Sequence, residues 1–163
     1  MDENNIVVNE ELTQEQPQEQ VSPLLNEEPQ DDCIFCKIVQ GEIPCYKIYE
    51  NEFVIAFLDI ADDCIGHTLV IPKKHYINIF DVPEAEYLEV MKAVKKIAFH
   101  YVADCGFEGV NVINANGKSA QQSVFHLHFH ILPRTSDDEL NAWPDLEKQY
   151  QDFEAVHKKL RIE

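Results

Sequence analysis

The chain of 163 residues is 45% hydrophobic, enough for one domain with a core of its own, and carries a formal net charge of −17. Binding to nucleic acid or to an anionic membrane surface depends on basic patches, so this charge excludes both as unassisted partners. Ile6-Val7-Val8 is too short for a secretory apolar run and no stretch is long enough to span a bilayer, so a soluble, cytoplasmic protein is expected.

The first 32 residues contain no Lys or Arg and are rich in carboxylates and glutamines, as in Glu10-Glu11, Gln14-Glu15-Gln16 and Glu27-Glu28. Low hydrophobicity with charge of one sign predicts a disordered acidic extension over residues 1–32, a segment suited to engaging a protein partner. Five cysteines, at positions 33, 36, 45, 64 and 105, are an odd number that fits reduced thiols better than a disulfide framework. Cys33 to Val39 reads as a short helix stopped by Gly41 and followed by Pro44. Tyr46-Lys47-Ile48-Tyr49 and Phe53-Val54-Ile55-Ala56-Phe57-Leu58-Asp59 read as strands separated by Glu50-Asn51-Glu52. His67-Thr68-Leu69-Val70-Ile71 reads as a third strand, ended by Pro72.

A long helix is predicted from about Pro83, where Asp81 and Glu84 have capping-box spacing. Leu88, Met91, Val94, Ile97, Ala98 and Tyr101 form its apolar stripe, and Cys105-Gly106 its stop, with Gly106 free to turn left-handed. Gly109 to Asn114 gives a fourth strand, and the loop Ala115 to Gln122 leads into a fifth. In the polar tail, residues 136–163, Leu146, Tyr150, Phe153, Val156 and Leu160 recur at helical spacing, which predicts a terminal helix lying on the domain or on a partner. The pattern is that of an α+β domain, a helix packed on an antiparallel sheet.

The fifth strand is the chemically informative one. Ser123-Val124-Phe125-His126-Leu127-His128-Phe129-His130-Ile131-Leu132 alternates three imidazoles with apolar side chains. In a strand, His126, His128 and His130 share one face at roughly 6–7 Å intervals while Phe125, Leu127, Phe129 and Ile131 take the other. On a helix they would be scattered with no common site. Imidazoles in register, with pKa values nearest neutrality, point to a metal site or to a nucleophilic site. Cys33-Ile34-Phe35-Cys36 is a second pattern with three readings of its own: a redox pair, half of a zinc set, or two unrelated thiols. No strand of a βαβ unit precedes it, which disfavours the redox reading, and zinc would need two further ligands, with His75 and one of the three histidines available.

Four segments taken together carry a resemblance to a known family. They are Cys33-Ile34-Phe35-Cys36-Lys37-Ile38, Ala56-Phe57-Leu58-Asp59-Ile60, Gly66-His67-Thr68-Leu69-Val70-Ile71-Pro72-Lys73-Lys74-His75, and Gln122-Ser123-Val124-Phe125-His126-Leu127-His128-Phe129-His130-Ile131-Leu132-Pro133-Arg134. In this order, over residues 33–135, they resemble the histidine-triad (HIT) family in its zinc-carrying, Hint-type branch. The resemblance implies a sheet of about five antiparallel strands with a long helix on it, dimerising about a two-fold axis. It implies a hydrolase that cleaves a nucleoside phosphoramidate or a dinucleoside polyphosphate at the α-phosphate and releases a nucleoside monophosphate, with a purine nucleotide as substrate.

By the same resemblance His128 is the nucleophile that forms a nucleotidyl-histidine intermediate. His130, Gln122 and Ser123 hold the phosphate, and Ser123 passes a proton to the leaving group. Asp59 accepts from the ribose hydroxyls, while Ile34, Phe35, Ile38, Phe57, Ile60 and Leu69 line the base pocket beside Val124. Cys33, Cys36, His75 and His126 would hold structural zinc, and His67 lies close by. The chain departs from the family in having Gln121 where a glycine precedes Gln122, and Ala115 where an Asn or Gln contacts phosphate, with Asn114 and Asn116 as its neighbours. Two other functions fit the same residues: a nucleotidyl transferase, against which His130 argues, and a zinc-stabilised nucleotide-binding interaction module.

Overall fold

Two apolar runs with no polar alternation, Val54–Leu58 and Thr68–Pro72, form the centre of the molecule because both of their faces are covered. In the computed structural model, which describes residues 32–61, 63–142 and 151–162, the elements are α1 (Ile34–Val39), β1 (Lys47–Glu50), β2 (Val54–Leu58), β3 (Thr68–Pro72), α2 (Glu84–Ala103), β4 (Gly109–Ile113), a short 3-10 turn (Lys118–Ala120), β5 (Phe129–Arg134) and α3 (Phe153–Leu160). The strands pair antiparallel throughout, in the order β1-β2-β3-β5-β4. This is the antiparallel five-stranded sheet with its helix that the sequence predicts.

Each central strand divides its side chains between two cores. Val54, Ala56, Val70, Phe129 and Ile131, with Leu127 just ahead of β5, pack against Val90, Ala93, Val94, Ile97 and Tyr101 of α2. Ile55, Phe57, Leu69 and Ile71 pack on the opposite face against Cys33, Phe35 and Cys36 around α1. A buried hydrogen bond of 2.6 Å between Thr68 Oγ1 and Tyr101 Oη ties α2 to β3. The α1 face is the one that carries the site.

Four expectations need correction. The histidine segment is not one continuous strand: residues 124–126 bend, and the ladder begins at Phe129. Pairing of Thr68 with Ile131, Leu69 with His130 and Val70 with Phe129 would bring Pro72 opposite Leu127, and proline has no N–H to continue it. Leu127 N donates instead to Tyr76 O. The proposed capping box also fails. Pro83 takes the N-cap position with no side-chain cap, and the Asp81 carboxylate accepts from Ile77 N at 2.8 Å and Asn78 N at 2.9 Å.

The buried stripe of α2 is rotated from the predicted one. Val90 and Ala93 join Val94, Ile97 and Tyr101 in the core while Leu88 is 50% exposed, because the sheet meets the helix along that line. Its stop is as expected, with Gly106 at φ +84°. The tail forms its terminal helix, α3, but of the two placements expected, on the domain or on a partner, the first is not found: α3 buries none of its residues, and Phe153 and Leu160 are exposed. Leu146, Tyr150 and the extension up to residue 31 lie outside the described residues. Among those described, no helix is long and apolar enough to cross a membrane.

Candidate active site and metal centre

The bend ahead of β5 keeps the alternation that the strand would have given. His126 and His128 both meet the Phe35 ring edge-on, with centroids 5.8 and 5.4 Å away, and His128 and His130 lie 5.0 Å apart. Leu127 and Phe129 point into the α2 core. The three imidazoles thus share a face, but each has a different neighbour.

His126, fully buried, points at the cysteines. Its Nδ1 lies 3.4 Å from Cys33 Sγ and 3.6 Å from Cys36 Sγ, and His75 Nδ1 lies 3.3 Å from Cys36 Sγ. All four donor atoms fall within 4.8 Å of one another. A tetrahedral ion with thiolate and imidazole ligands would space sulfur and nitrogen about 3.5 Å apart. The protonation pattern fits as well: His126 Nε2 donates to Pro72 O at 2.9 Å, which leaves Nδ1 with its lone pair toward the sulfurs. Burial pushes His126 down to about 4, so its imidazole is neutral. Burial, and then the adjoining Cys33, push the Cys36 thiol up to about 12, so a bound cation would have to displace its proton. The donor set is that of a closed, structural zinc site.

His128, two residues on, has its tautomer fixed by the backbone. Nδ1 donates to His126 O at 2.6 Å, and Nε2 is left as the free nitrogen. Its own carbonyl accepts from Asn114 Nδ2 at 2.8 Å, and Asn116 in turn holds Asn114 and accepts from Ile79 N at 3.0 Å. Burial lowers the His128 pKa below the ordinary imidazole range, so a neutral ring presents a nucleophilic lone pair. His130, lowered to about 4 by burial and then by His128 and His67, faces His67 Nε2 through Nδ1 at 2.9 Å. His67 Nδ1 lies 2.7 Å from Asp63 Oδ1, and Asp59 Oδ2 is 3.6 Å from His67 Nε2.

A cavity of about 170 Å³ opens beside this row of histidines, lined by Ile34, Phe35, Ile38, Phe57, Ile60 and Leu69, with Asp59 at its edge. Its walls are apolar, and the Asp59 carboxylate, which accepts from Ala61 N at 3.1 Å, is the one acidic group among them. Val124 packs against the same cluster. Ser123 is exposed at the start of the histidine segment. Gln122 is buried, and its side chain is spent on the backbone: Nε2 donates to Ile77 O at 2.6 Å and Val124 O at 3.1 Å, while Oε1 accepts from Gly117 N. It therefore clamps the loop instead of offering a side-chain donor to phosphate.

The chain matches the HIT domain model over residues 40–137. It belongs to the HIT family. An uncharacterized HIT-like protein of Methanocaldococcus jannaschii is 50% identical over 106 residues, covering 65% of this chain and 81% of its own. An adenosine 5'-monophosphoramidase of Saccharomyces cerevisiae is 37% identical over 130 residues, covering 78% and 80%. Among solved structures, a zinc-bound histidine triad family protein from Mycobacterium smegmatis superposes with a TM-score of 0.65 at 36% identity, covering 73% of this chain and 86% of its own. The matched residues take in three of the four segments quoted from the sequence, and Cys33-Ile34-Phe35-Cys36-Lys37-Ile38 precedes them.

Two participants escaped the sequence reading. Asp63 has no role in the sequence analysis, although its i,i+4 spacing from His67 is visible in the sequence. Asn114, named in the sequence only as a neighbour of Ala115, donates to the His128 carbonyl.

Proposed function

We propose that this HIT protein is a nucleotide hydrolase that cleaves a nucleoside phosphoramidate or a dinucleoside polyphosphate at the α-phosphate. The observation that carries this reading is the bond from His128 Nδ1 to His126 O, because it commits Nε2 to nucleophilic attack. The purine enters the cavity between Phe35, Phe57 and Leu69, and its ribose hydroxyls donate to Asp59. His128 Nε2 forms a bond to phosphorus as the bond to the leaving group breaks. Ser123, exposed to solvent, relays a proton to an amine leaving group, taking one up from water as it gives one. Water then adds to phosphorus, His128 Nε2 departs, and the nucleoside monophosphate is released with the water's proton passed to the imidazole or solvent. His130 steadies the phosphate oxygens through both steps.

Cys33, Cys36, His75 and His126 hold zinc, which supplies a structural tie between α1 and the histidine segment. Adenosine 5'-monophosphoramidases of two yeasts, Saccharomyces cerevisiae and Schizosaccharomyces pombe, are among the relatives and support the phosphoramidate. A homodimer completes the proposal.

The test is hydrolysis of an adenosine phosphoramidate with intact-mass detection of the adduct. The wild type should release AMP and show, on rapid quenching, an added adenylyl mass on a peptide containing His128. His128→Ala should lose turnover by 10³-fold or more, on the order expected for removal of a nucleophile. AMP release by His128→Ala at the wild-type rate would refute the mechanism.

A further inference from the structure

The row of polar groups does not end at the triad. Behind His130 stands His67, 6% exposed, and behind His67 stands Asp63, whose carboxylate is 48% exposed. The contacts run Asp63 Oδ1 to His67 Nδ1 at 2.7 Å, then His67 Nε2 to His130 Nδ1 at 2.9 Å. Backbone pairing makes the arrangement rigid, since Asp59 N donates to His67 O at 2.8 Å and Leu69 stands opposite His130 in the β3–β5 ladder. The other charged or titratable groups around His67 are Asp59, at 3.6 Å, and Cys64, which clusters with Asp63 beside it. Arg134 is engaged with Asp138 and Asn111.

A metal ion shared by Asp59, His67 and His130 is the competing explanation. Two imidazole nitrogens on one zinc would stand about 3.3 Å apart. At 2.9 Å they are at the separation of an N–H···N hydrogen bond. One proton therefore lies between His67 and His130, and its side decides what His130 can do.

An ionised carboxylate only accepts, so His67 Nδ1 carries a hydrogen toward Asp63. If His67 is otherwise unprotonated, its Nε2 must accept from His130 Nδ1. His130 Nε2 then presents a lone pair, which repels a phosphate oxygen. If His67 carries the second proton, Nε2 donates to His130 Nδ1, and His130 turns an Nε2–H toward the phosphate.

We propose that Asp63 is a positioning residue, which through His67 holds the pair's extra proton on His67 while His130 donates Nε2–H to the substrate phosphate. The proposal rests on the hydrolase reading for its consequence, though not for its proton placement. A carboxylate this exposed contributes little to stability. Its effect is on proton placement, since it faces an imidazole that is itself buried. Asp63 is a feature of this chain's loop between β2 and β3, and it gives the phosphate a charged donor pair in a protein whose net charge of −17 otherwise disfavours anions.

The test uses the full chain with ¹⁵N-labelled histidine, together with Asp63→Asn and Asp63→Glu. In two-bond ¹H–¹⁵N spectra with AMP as the probe, the wild type should show His67 protonated on both nitrogens and His130 protonated on Nε2. Asp63→Asn should shift His67 to a neutral ring and move the proton of His130 to Nδ1. The same variant should lose about tenfold or more in kcat with less change in KM, and Asp63→Glu should recover part of the loss. Unchanged histidine signals in Asp63→Asn would overturn the proposal, whatever the activity. Wild-type kcat in Asp63→Asn would also overturn it. A wild type that binds AMP with the expected proton pattern but hydrolyses nothing would retain the relay and reject the hydrolase.

Discussion

Gln121 adopts φ 66° and ψ 26°, a left-handed conformation that costs a residue with a side chain about 1–2 kcal/mol relative to the right-handed regions. The resemblance to the HIT family puts a glycine at that position, so the departure was legible, but its outcome was not. The loop keeps its glycine-like turn because Gln122 pins it to Ile77 O, Val124 O and Gly117 N. Gln121→Gly relieves the strain and gives back part of the gain as unfolded-state entropy, for a net stabilisation of about 0.5–1 kcal/mol in urea unfolding. Destabilisation by the same substitution would mean that the side chain is held by contacts outweighing the strain. His130 supports a second residue-scale prediction. Burial and then its neighbours His128 and His67 hold it at about 4, against about 6.5 in an unfolded chain. The unfolded state therefore binds the extra proton between those values, and the contribution of His130 to stability, complete above pH 6.5, is lost as the pH falls toward 4. His130→Gln should show a shallower fall than the wild type across that window, by less than about 1.4 kcal/mol per pH unit. Identical slopes would remove His130 as a cause.

At the scale of elements, the legible features were those with one dominant signal. β2 and β3 were recognisable as strands because they are short apolar runs bounded by turn residues, and Gly106 ended α2 because a left-handed stop favours glycine. The failures came where two signals competed. Asp81 has the right spacing for an N-cap, yet the loop ahead of α2 needed its two acceptors more, for Ile77 N and Asn78 N. The alternation of histidines predicted the correct faces but overextended β5, because the partner strand's Pro72 stops the ladder and no local pattern in residues 123–132 records that. The candidate metal ligands were readable as two cysteines and two histidines, while their convergence depends on this same bend. α1 has six residues and no side-chain N-cap, too short to persist by its own propensity. Its anchorage is Phe35 and the two thiols. Chelation of zinc, or Cys36→Ser, should therefore lower the melting temperature by roughly 5 °C or more and abolish one equivalent of bound zinc. Equal zinc in the wild type and Cys36→Ser would refute the four-ligand centre.

Among the described residues, an edge and a face stay uncovered on the same side. β4 ends the sheet with an unpaired edge, carrying Val112 at 43% and Ile113 at 39% exposure. α2, which packs on the sheet beside it, exposes Leu88, Phe99 and Val102. The apolar stripe predicted for that helix includes Leu88, Met91 and Val94. Val94 is buried in the chain's own core and Met91 packs against it, so only Leu88 of the three is available. An exposed edge strand invites pairing with another chain, and a second copy about a two-fold axis would cover strand and helix together. Charge opposes this association. Each copy carries −17, and the first 32 residues hold ten of the 30 carboxylates with none of the 13 basic residues. Repulsion between two such copies is long-range at low salt and falls off within about 8 Å at physiological ionic strength. Sedimentation should thus show a dimer that tightens as salt rises from about 10 to 150 mM, and removal of residues 1–31 should flatten that dependence. Val112→Lys should give a monomer at every salt concentration, since it places a charge on the apolar edge that a second copy would cover. A wild-type protein that sediments as a monomer throughout would require another occupant for β4 and α2, and a dimer that loosens with salt would place charged pairs, not this apolar surface, at the interface.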